Sequence, residues 1–241
     1  MKKERFSIVR NGLIAPKTYR LVLEGGGSVD GEFVHIAVPG FFLRRPLSIC
    51  DREAGRLTIV YKVVGEGTKV LSEMQEGTVL EVLTGLGRGF DPDACRSEAL
   101  LVGGGLGAAP LYLLAKELKA QGKKVTAVLG FNTAAEIVMV REFEDICDTV
   151  AVSTLDGSVG VKGFVTDALP AKYSYFYTCG PGPMLKAVYR STVTSGEFSF
   201  EERMGCGFGA CMGCSCKTIT GYKRICKDGP VLKKEEILWQ A

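Results

Sequence analysis

The sequence predicts a multi-domain β + α/β protein: an antiparallel β-barrel over residues 1–93, a parallel α/β domain over residues 94–199, and a small cysteine-bearing module over residues 200–241. Three observations predict this. Short β-type runs separated by turn residues fill the first part. Strand-like runs then alternate with helical stretches, the pattern of a parallel sheet. Finally, Cys206, Cys211, Cys214 and Cys226 stand among closely spaced glycines near the C-terminus.

In the first region the runs are Phe6–Val9, Tyr19–Leu23, Phe33–Val38, Leu57–Lys62 and Val79–Leu83, punctuated by Gly25-Gly26-Gly27, Pro39-Gly40 and Gly85–Gly89. A helical stretch, Gly67 to Met74, interrupts them. Two segments carry chemistry. In Arg44-Arg45-Pro46-Leu47-Ser48-Ile49, the guanidinium is a planar fork for a phosphate and the proline fixes the backbone beside it. The serine hydroxyl can bond a ring or a ribityl group. The plainer reading is an edge strand that ends in a solvated basic pair. The segment Val60-Tyr61-Lys62-Val63-Val64-Gly65-Glu66-Gly67-Thr68 leads into a helix, whose free N–H groups attract anions. Thr68 equally suits a helix cap.

In the second region Glu98–Val102 reads as a strand, followed by the turn Gly103-Gly104-Gly105-Leu106-Gly107-Ala108-Ala109-Pro110 and a helix to about Gln121. Val125–Phe131 is a second strand, Ala134–Asp145 a helix and Thr149–Thr154 a third strand. Later come a strand at Tyr173–Thr178, the turn Cys179-Gly180-Pro181-Gly182-Pro183 and a helix at Met184–Ser195. A glycine-rich turn between strand and helix lets the backbone approach a pyrophosphate at a helix N-terminus, although the spacing is not the G-x-G-x-x-G fingerprint. In an open α/β sheet the ligand crevice borders the carboxyl ends of the strands. Two such turns favour a nucleotide.

The cysteine spacing is C-x4-C-x2-C with a fourth cysteine further on, as in plant-type [2Fe-2S] proteins. Gly205, Gly207, Gly209 and Gly213 interleave the ligands, and glycine permits positive φ and close backbone approach, so that N–H groups can point at sulfur. Structural zinc usually takes two C-x2-C pairs, and only one is present. Disulfides need an oxidising compartment, and the start MKKERFSIV has no apolar core of a signal peptide. Cys216 is an alternative third ligand; the two-residue gap favours Cys214. Cys50, Cys95 and Cys147 read as small core hydrophobes.

Composition narrows the function classes. The net charge of +3 on 241 residues is too slight to argue for nucleic acid or an acidic membrane surface. The uncharged stretch Ala99 to Ala115 is shorter than the ~20 residues of a membrane span and contains glycines and a proline, so it reads as strand, turn and helix of a soluble domain. Nine cysteines without a secretion signal fit a reducing cytoplasm. The one histidine, His35, sits in an alternating run and reads as an ordinary strand residue. A Ser–His–Asp hydrolase or a histidine-rich metal site is thereby disfavoured, and the chemistry falls to cofactors.

Taken together, Arg45-Pro46-Leu47-Ser48, Gly67-Thr68, Gly103-Gly104-Gly105-x-Gly107-x-x-Pro110 and Cys179-Gly180-Pro181 resemble the ferredoxin–NADP reductase superfamily over nearly the whole chain. The appended Glu201-Glu202-Arg203-Met204-Gly205-Cys206 run, Cys226-Lys227-Asp228-Gly229-Pro230-Val231, and the segment from Asp156-Gly157-Ser158 to Asp167 resemble the electron-transfer subunits of NAD-dependent dihydroorotate dehydrogenases. The resemblance implies a Greek-key FAD barrel, a nicotinamide-binding domain and a [2Fe-2S] module. It implies cofactor contacts from Arg45, Pro46, Leu47, Ser48, Val60, Tyr61, Lys62, Gly67 and Thr68 in the barrel. In the α/β domain it implies contacts from Gly103, Gly104, Gly105, Gly107, Asp156, Cys179, Gly180 and Pro181. Cys206, Cys211, Cys214 and Cys226 would ligate the cluster.

The implied function is a relay in pyrimidine (UMP) biosynthesis: from the FMN of a dihydroorotate-oxidising catalytic subunit, through the cluster and FAD, to NAD+. The two subunits would form a heterotetramer of two copies each, in the cytoplasm, without membrane or nucleic acid. The neighbouring reading is the small subunit of a ferredoxin–NADP transhydrogenase or of a sulfite reductase or hydrogenase complex. A reading from another class is a non-catalytic redox sensor or zinc module. Gly130 to Glu136, after the second strand, offers no arginine to a 2′-phosphate, and Glu136 would repel one, so NADH is expected over NADPH.

Overall fold

The computed structural model describes residues 1–26, 30–53 and 55–239, so that Gly27 of the first glycine turn lies outside the described residues. Seven strands make the first sheet: β1 (Lys2–Ala15), β2 (Thr18–Gly25), β3 (Phe33–Ile36), β4 (Arg45–Ser48), β5 (Asp51–Glu53), β6 (Arg56–Lys62) and β7 (Val79–Leu86). All neighbours are antiparallel, in the order β4-β3-β7-β1-β2-β6-β5. Strand β1 carries register shifts between Ile8 and Arg10 and between Leu13 and Ala15, which bend a long strand. Alternate side chains from both halves of the sheet, among them Val34 and Ile36 on β3 and Leu57, Ile59 and Tyr61 on β6, fill one core with Leu71 of helix α1 (Glu66–Ser72). The sheet therefore wraps around its own apolar face. Strand β4 lies at the sheet's edge, where a proline that cannot donate to the ladder is tolerated.

The second sheet contains β8 (Glu98–Gly104), β9 (Lys124–Phe131), β10 (Thr149–Thr154), β11 (Val161–Lys162), β12 (Tyr175–Cys179) and β13 (Gly196–Ser199), all parallel, in the order β11-β10-β9-β8-β12-β13. Helices α2 (Ala108–Ala120), α3 (Val140–Glu144) and α4 (Gly182–Ser191) form the crossovers. The helix expected over Ala134–Asp145 is instead a 3-10 turn at Ala134–Glu136 and the short α3, separated at Met139, whose φ of 63° is left-handed. Strand order reverses at β8, which has β9 on one side and β12 on the other. Such a switch point is where open α/β sheets hold ligands. Both glycine turns sit there, with Gly103 and Cys179 opposite each other in register.

The last residues are tied to this sheet. After the hairpin β14 (Ser215–Thr218) and β15 (Gly221–Arg224) and the single turn α5 (Ile225–Asp228), strand β16 (Val231–Lys233) pairs antiparallel with β13. Trp239 packs its ring 5.4 Å from that of Phe200 and 5.7 Å from that of Phe198. The barrel and the α/β domain also share a core, in which Cys50 and Val60 meet Ala108, Ala109 and Leu111 of α2. Cys50 and Cys95 are buried as expected, and Cys147 is half-buried. Among the described residues no helix is long and apolar enough to cross a membrane.

Candidate cofactor sites

A cavity of about 720 Å³ lies where barrel, α/β domain and cysteine module meet. The barrel contributes Arg45, Pro46, Leu47 and Ser48 of β4, Val60, Tyr61 and Lys62 of β6, and Thr68. The Arg45 guanidinium lies 4.7 Å from the centre of the Phe41 ring, and its Nη1 donates to the Leu43 carbonyl at 2.7 Å. It crosses Gly67 so closely that a Cβ there would stand 2.0 Å from Arg45 Nε. Arg44 is used differently: it pairs with Glu81. Thr68 Oγ1 accepts the N–H groups of Val64 and Gly65 at 3.0 and 3.2 Å, fixing the approach to α1. Alternation on β6 divides its residues. Tyr61 enters the barrel core and donates to Asn11 at 3.0 Å, whereas Val60 packs towards the α/β domain.

The opposite wall is Leu106, Ala109 and Pro110 at the start of α2, Cys179 at the end of β12, the run Ser199 to Met204, and Pro230. Burial pushes the Cys179 thiol far up, so it stays protonated. A second cavity of about 430 Å³ opens on the carboxyl ends of the parallel strands. Gly104, Gly105, Phe131, Asn132, Glu136, Ser153, Phe164, Pro181 and Met184 are among its lining residues. The glycines of the first turn answer to space. A Cβ on Gly107 would meet the Cys179 carbonyl oxygen at 2.1 Å, and one on Gly104 would meet Met184 sulfur at 2.3 Å. Gly105 has a φ of +54°. Gly103, Gly107 and Gly180 are not among the lining residues of this cavity. Asp156 lines neither cavity; its Oδ1 accepts the N–H and hydroxyl of Ser158 at 3.0 and 2.6 Å. Glu136 accepts from Asn132 at 2.7 Å and lies 3.8 Å from Lys62 Nζ, which lines the first cavity.

Four of the five cysteines of the C-terminal module, Cys206 with Cys211 and Cys214 with Cys226, come as two pairs. Cys206 sulfur accepts the N–H groups of Ala210 at 3.2 Å and Cys211 at 3.4 Å, and Cys214 sulfur accepts that of Cys226 at 3.4 Å. Burial opposes the Cys206 thiolate, but the surrounding N–H donors outweigh it and bring that thiol down to about 6. Cys214 and Cys226 are buried, while Cys211 is exposed. Cys216 lies on β14 and its sulfur faces the Lys217 carbonyl at 3.7 Å. Among the described residues no three histidine, cysteine, aspartate or glutamate side chains converge on one metal position. Two pairs of cysteines whose sulfurs accept backbone N–H groups suit a binuclear iron–sulfur centre, which would take two protein sulfurs at each iron.

Sequence reasoning missed two features. The run Ser199 to Met204 walls the first cavity; its Glu201-Glu202-Arg203-Met204 part carries the family resemblance, but none of its residues is expected from the sequence to line a cofactor cavity. His35 lies on a strand as expected, but it is 1% exposed, and neither ring nitrogen has a hydrogen-bond partner among the described residues. Burial and then the Arg44 charge lower its pKa to about 4, so the imidazole is neutral.

A barrel and a switch-point sheet sharing one cavity define the class of FAD- and nicotinamide-binding reductases built on the ferredoxin–NADP reductase plan. One solved chain, from work on flavin-based electron bifurcation by an NADH-dependent reduced ferredoxin-NADP oxidoreductase, superposes with a TM-score of 0.87 at 33% identity, over 97% of this chain and 90% of that one. The FAD/NAD-binding domain of a nitric oxide dioxygenase from Vibrio cholerae shares the fold at a TM-score of 0.68 and 21% identity, covering 78% of this chain and 91% of its own. Residues 201–238 match the family model for the iron-sulfur cluster binding domain of dihydroorotate dehydrogenase B. Two proteins described as dihydroorotate dehydrogenase B (NAD(+)), electron transfer subunit, are similar nearly end to end. That of Geobacillus sp. (strain WCH70) is 44% identical, over 99% of this chain and 99% of its own, and that of Bacillus caldolyticus 43%, over 98% of each. The chain belongs to the family of dihydroorotate dehydrogenase B electron transfer subunits.

Proposed function

We propose that this chain carries electrons from a catalytic partner subunit that oxidises dihydroorotate to NAD+, serving pyrimidine biosynthesis. Its cofactors are FAD, an iron–sulfur cluster and NAD. The carrying observation is that one cavity, lined by the barrel on one side, is lined on the other by both the nicotinamide-type sheet and the run that leads into the cysteine module. Cys179 and Leu106 come from the first, and Phe200 and Met204 from the second. Phe200 and Met204 also pack against the apolar cluster that includes Cys214 and Cys226, so these two residues would span the step between flavin and cluster.

The roles follow residue by residue. Arg45 would neutralise a pyrophosphate charge, its side chain held over Gly67. Ser48 would offer a hydroxyl to the flavin's polar parts. The glycine turn at the β8 end would let a dinucleotide phosphate come close to the backbone. Glu136 would bond the ribose of NAD and repel a 2′-phosphate. Cys206, Cys211, Cys214 and Cys226 would hold a [2Fe-2S] cluster, with N–H donors from Ala210, Cys211 and Cys226 stabilising the thiolates. Bound FAD supplies the exchange between the hydride of nicotinamide and the single electrons of the cluster. The partner would hold FMN and assemble with this chain two by two.

The test is the purified chain itself. FAD, iron and acid-labile sulfide should be present at one, two and two per chain, and NADH should bleach both flavin and cluster bands. Serine at any of the four cysteines should remove the cluster band, while Cys216→Ala should keep it. A colourless zinc-bearing chain, or bleaching by Cys216→Ala but not by Cys214→Ala, would overturn the assignment.

A further inference from the structure

The chain's one histidine lies on β3 of the barrel, opposite Pro46 of the flavin-side strand β4 and opposite Leu83 of β7. Its ring leaves the barrel wall towards the cysteine module. A Cβ on Gly207, the residue after Cys206, would stand 2.5 Å from His35 Cε1 and 2.7 Å from each ring nitrogen. The face of the imidazole therefore packs on Gly207, with both ring nitrogens beside the turn between Cys206 and Cys211. Gly207 has a φ of +80°, and the absence of a side chain is what admits the ring. On its other side His35 is flanked by Phe33, ring centres 5.6 Å apart.

Nothing among the described residues satisfies this imidazole. At 1% exposure it is shut off from solvent, and both nitrogens are unpartnered among the described residues. A buried polar group without a partner costs about 1–3 kcal/mol, so an apolar ring would be the more stable occupant of a purely structural position. Phenylalanine and leucine already fill the surroundings, at Phe33, Leu83 and Leu86. The position instead places an N–H donor beside a loop that already aims the backbone N–H groups of Ala210 and Cys211 at sulfur.

We propose that His35 is a positioning residue for the iron–sulfur centre: the barrel holds its ring against Gly207 so that one ring nitrogen donates a hydrogen bond to the sulfur array of the cluster. This rests on the cluster reading above. It gives the flavin-binding barrel a direct hold on the cluster loop, from the strand neighbouring the one that bears Arg45. Hydrogen bonds to cluster sulfur raise its reduction potential by stabilising the more negative reduced state.

Because His35 is the only histidine of the chain, labelling with [15N]histidine reports on this ring alone. In the NADH-reduced holo-chain, pulsed EPR of the cluster should detect a coupled histidine nitrogen. His35→Phe should retain iron, sulfide and FAD but shift the cluster's midpoint potential to more negative values, and His35→Gln, which keeps a donor, should restore it towards that of the parent chain. A chain without iron would sink the cluster reading itself. A fully loaded chain with no histidine coupling, or a shift equal in His35→Phe and His35→Gln, would overturn this proposal and leave that reading standing. If His35→Phe fails to fold, the labelling experiment on the unaltered chain decides alone.

Discussion

Gly67 decides where Arg45 can lie. A methyl group there would stand 2.0 Å from Arg45 Nε and 2.5 Å from Nη2, and the obstructing atoms are the far end of a flexible side chain. Gly67→Ala should therefore leave the fold intact and displace the guanidinium. Loss of a charge-assisted phosphate contact is worth about 1.5–3 kcal/mol, so FAD should bind about tenfold to a hundredfold more weakly in Gly67→Ala and in Arg45→Ala alike. Fluorescence titration of the apo-chain with FAD measures this; parent-like affinity in Gly67→Ala would mean that the seat over α1 is not the bound position of Arg45. Glu136 gives a second case. It stands in the nicotinamide-side cavity, bonded to Asn132, and its carboxylate should hold kcat/KM for NADH well above that for NADPH. Glu136→Gln should narrow the ratio, chiefly through the KM for NADPH. Arg45 and Glu136 were legible in the sequence because their chemistry sits beside a proline or a glycine turn. His35 was not, because alternation along β3 assigns faces but does not tell which face another domain covers.

Among the elements, the two turns at the end of β8 and β12 behave as one. Gly107 packs on the carbonyl of Cys179, where an added Cβ would sit 2.1 Å from oxygen and 2.4 Å from carbon, both backbone atoms. Neither can swing away, so Gly107→Ala must push α2 off the β12 turn. Weaker NADH binding and a lower melting temperature should appear together, in contrast to Gly67→Ala. The strand β13 carries a different burden: Glu197 is 3% exposed, accepts the Asp91 N–H at 2.9 Å and faces Lys233 across the β13–β16 ladder. Burial raises its carboxyl from 4.5 to about 7, against the bond from Asp91. The folded chain thus holds a proton between those values that the unfolded chain has released, and stability from this group is full below pH ~4.5 and lost as pH climbs through ~7. Glu197→Gln keeps an acceptor without the charge. It should flatten this part of the profile and melt higher than the parent at pH 8, by on the order of 3 kcal/mol or less; equal melting curves at pH 5 and pH 8 relative to the parent would refute it. The alternating pattern of the α/β region was readable because β8, β9 and β10 are long and apolar. Strands β4, β5, β13 and β16 hold three or four residues each and exist because a neighbour offers a ladder. The break at Met139 depends on a left-handed residue that local sequence does not demand.

For the whole molecule, the plan of barrel, sheet and cysteine module is shared with a chain from a ferredoxin-NADP oxidoreductase, so the choice of electron donor must lie on the surface rather than in the cavities. Around the exposed Cys211, Phe208 is 43% and Met212 54% exposed, and apolar side chains beside a shallow cluster suit a docking face. The described residues offer no convergent set of acids, bases and donors outside the cofactor cavities for a small carboxylated ring, and the buried imidazole is turned to the cluster loop. The chain alone should therefore oxidise NADH with artificial acceptors but fail to reduce NAD with dihydroorotate, and addition of the catalytic subunit should restore that reaction. Phe208→Asp tests the face: flavin content, cluster spectrum and NADH oxidation with artificial acceptors should stay at parent levels, while the dihydroorotate-driven rate at limiting partner should fall at least tenfold and recover as partner concentration rises. A rate that falls but does not recover at saturating partner would locate the defect in electron transfer rather than in docking. Parent-like coupling at every partner concentration would move the docking face elsewhere, and coupling to ferredoxin in place of the dihydroorotate-oxidising subunit would assign the surface to the neighbouring branch of the plan.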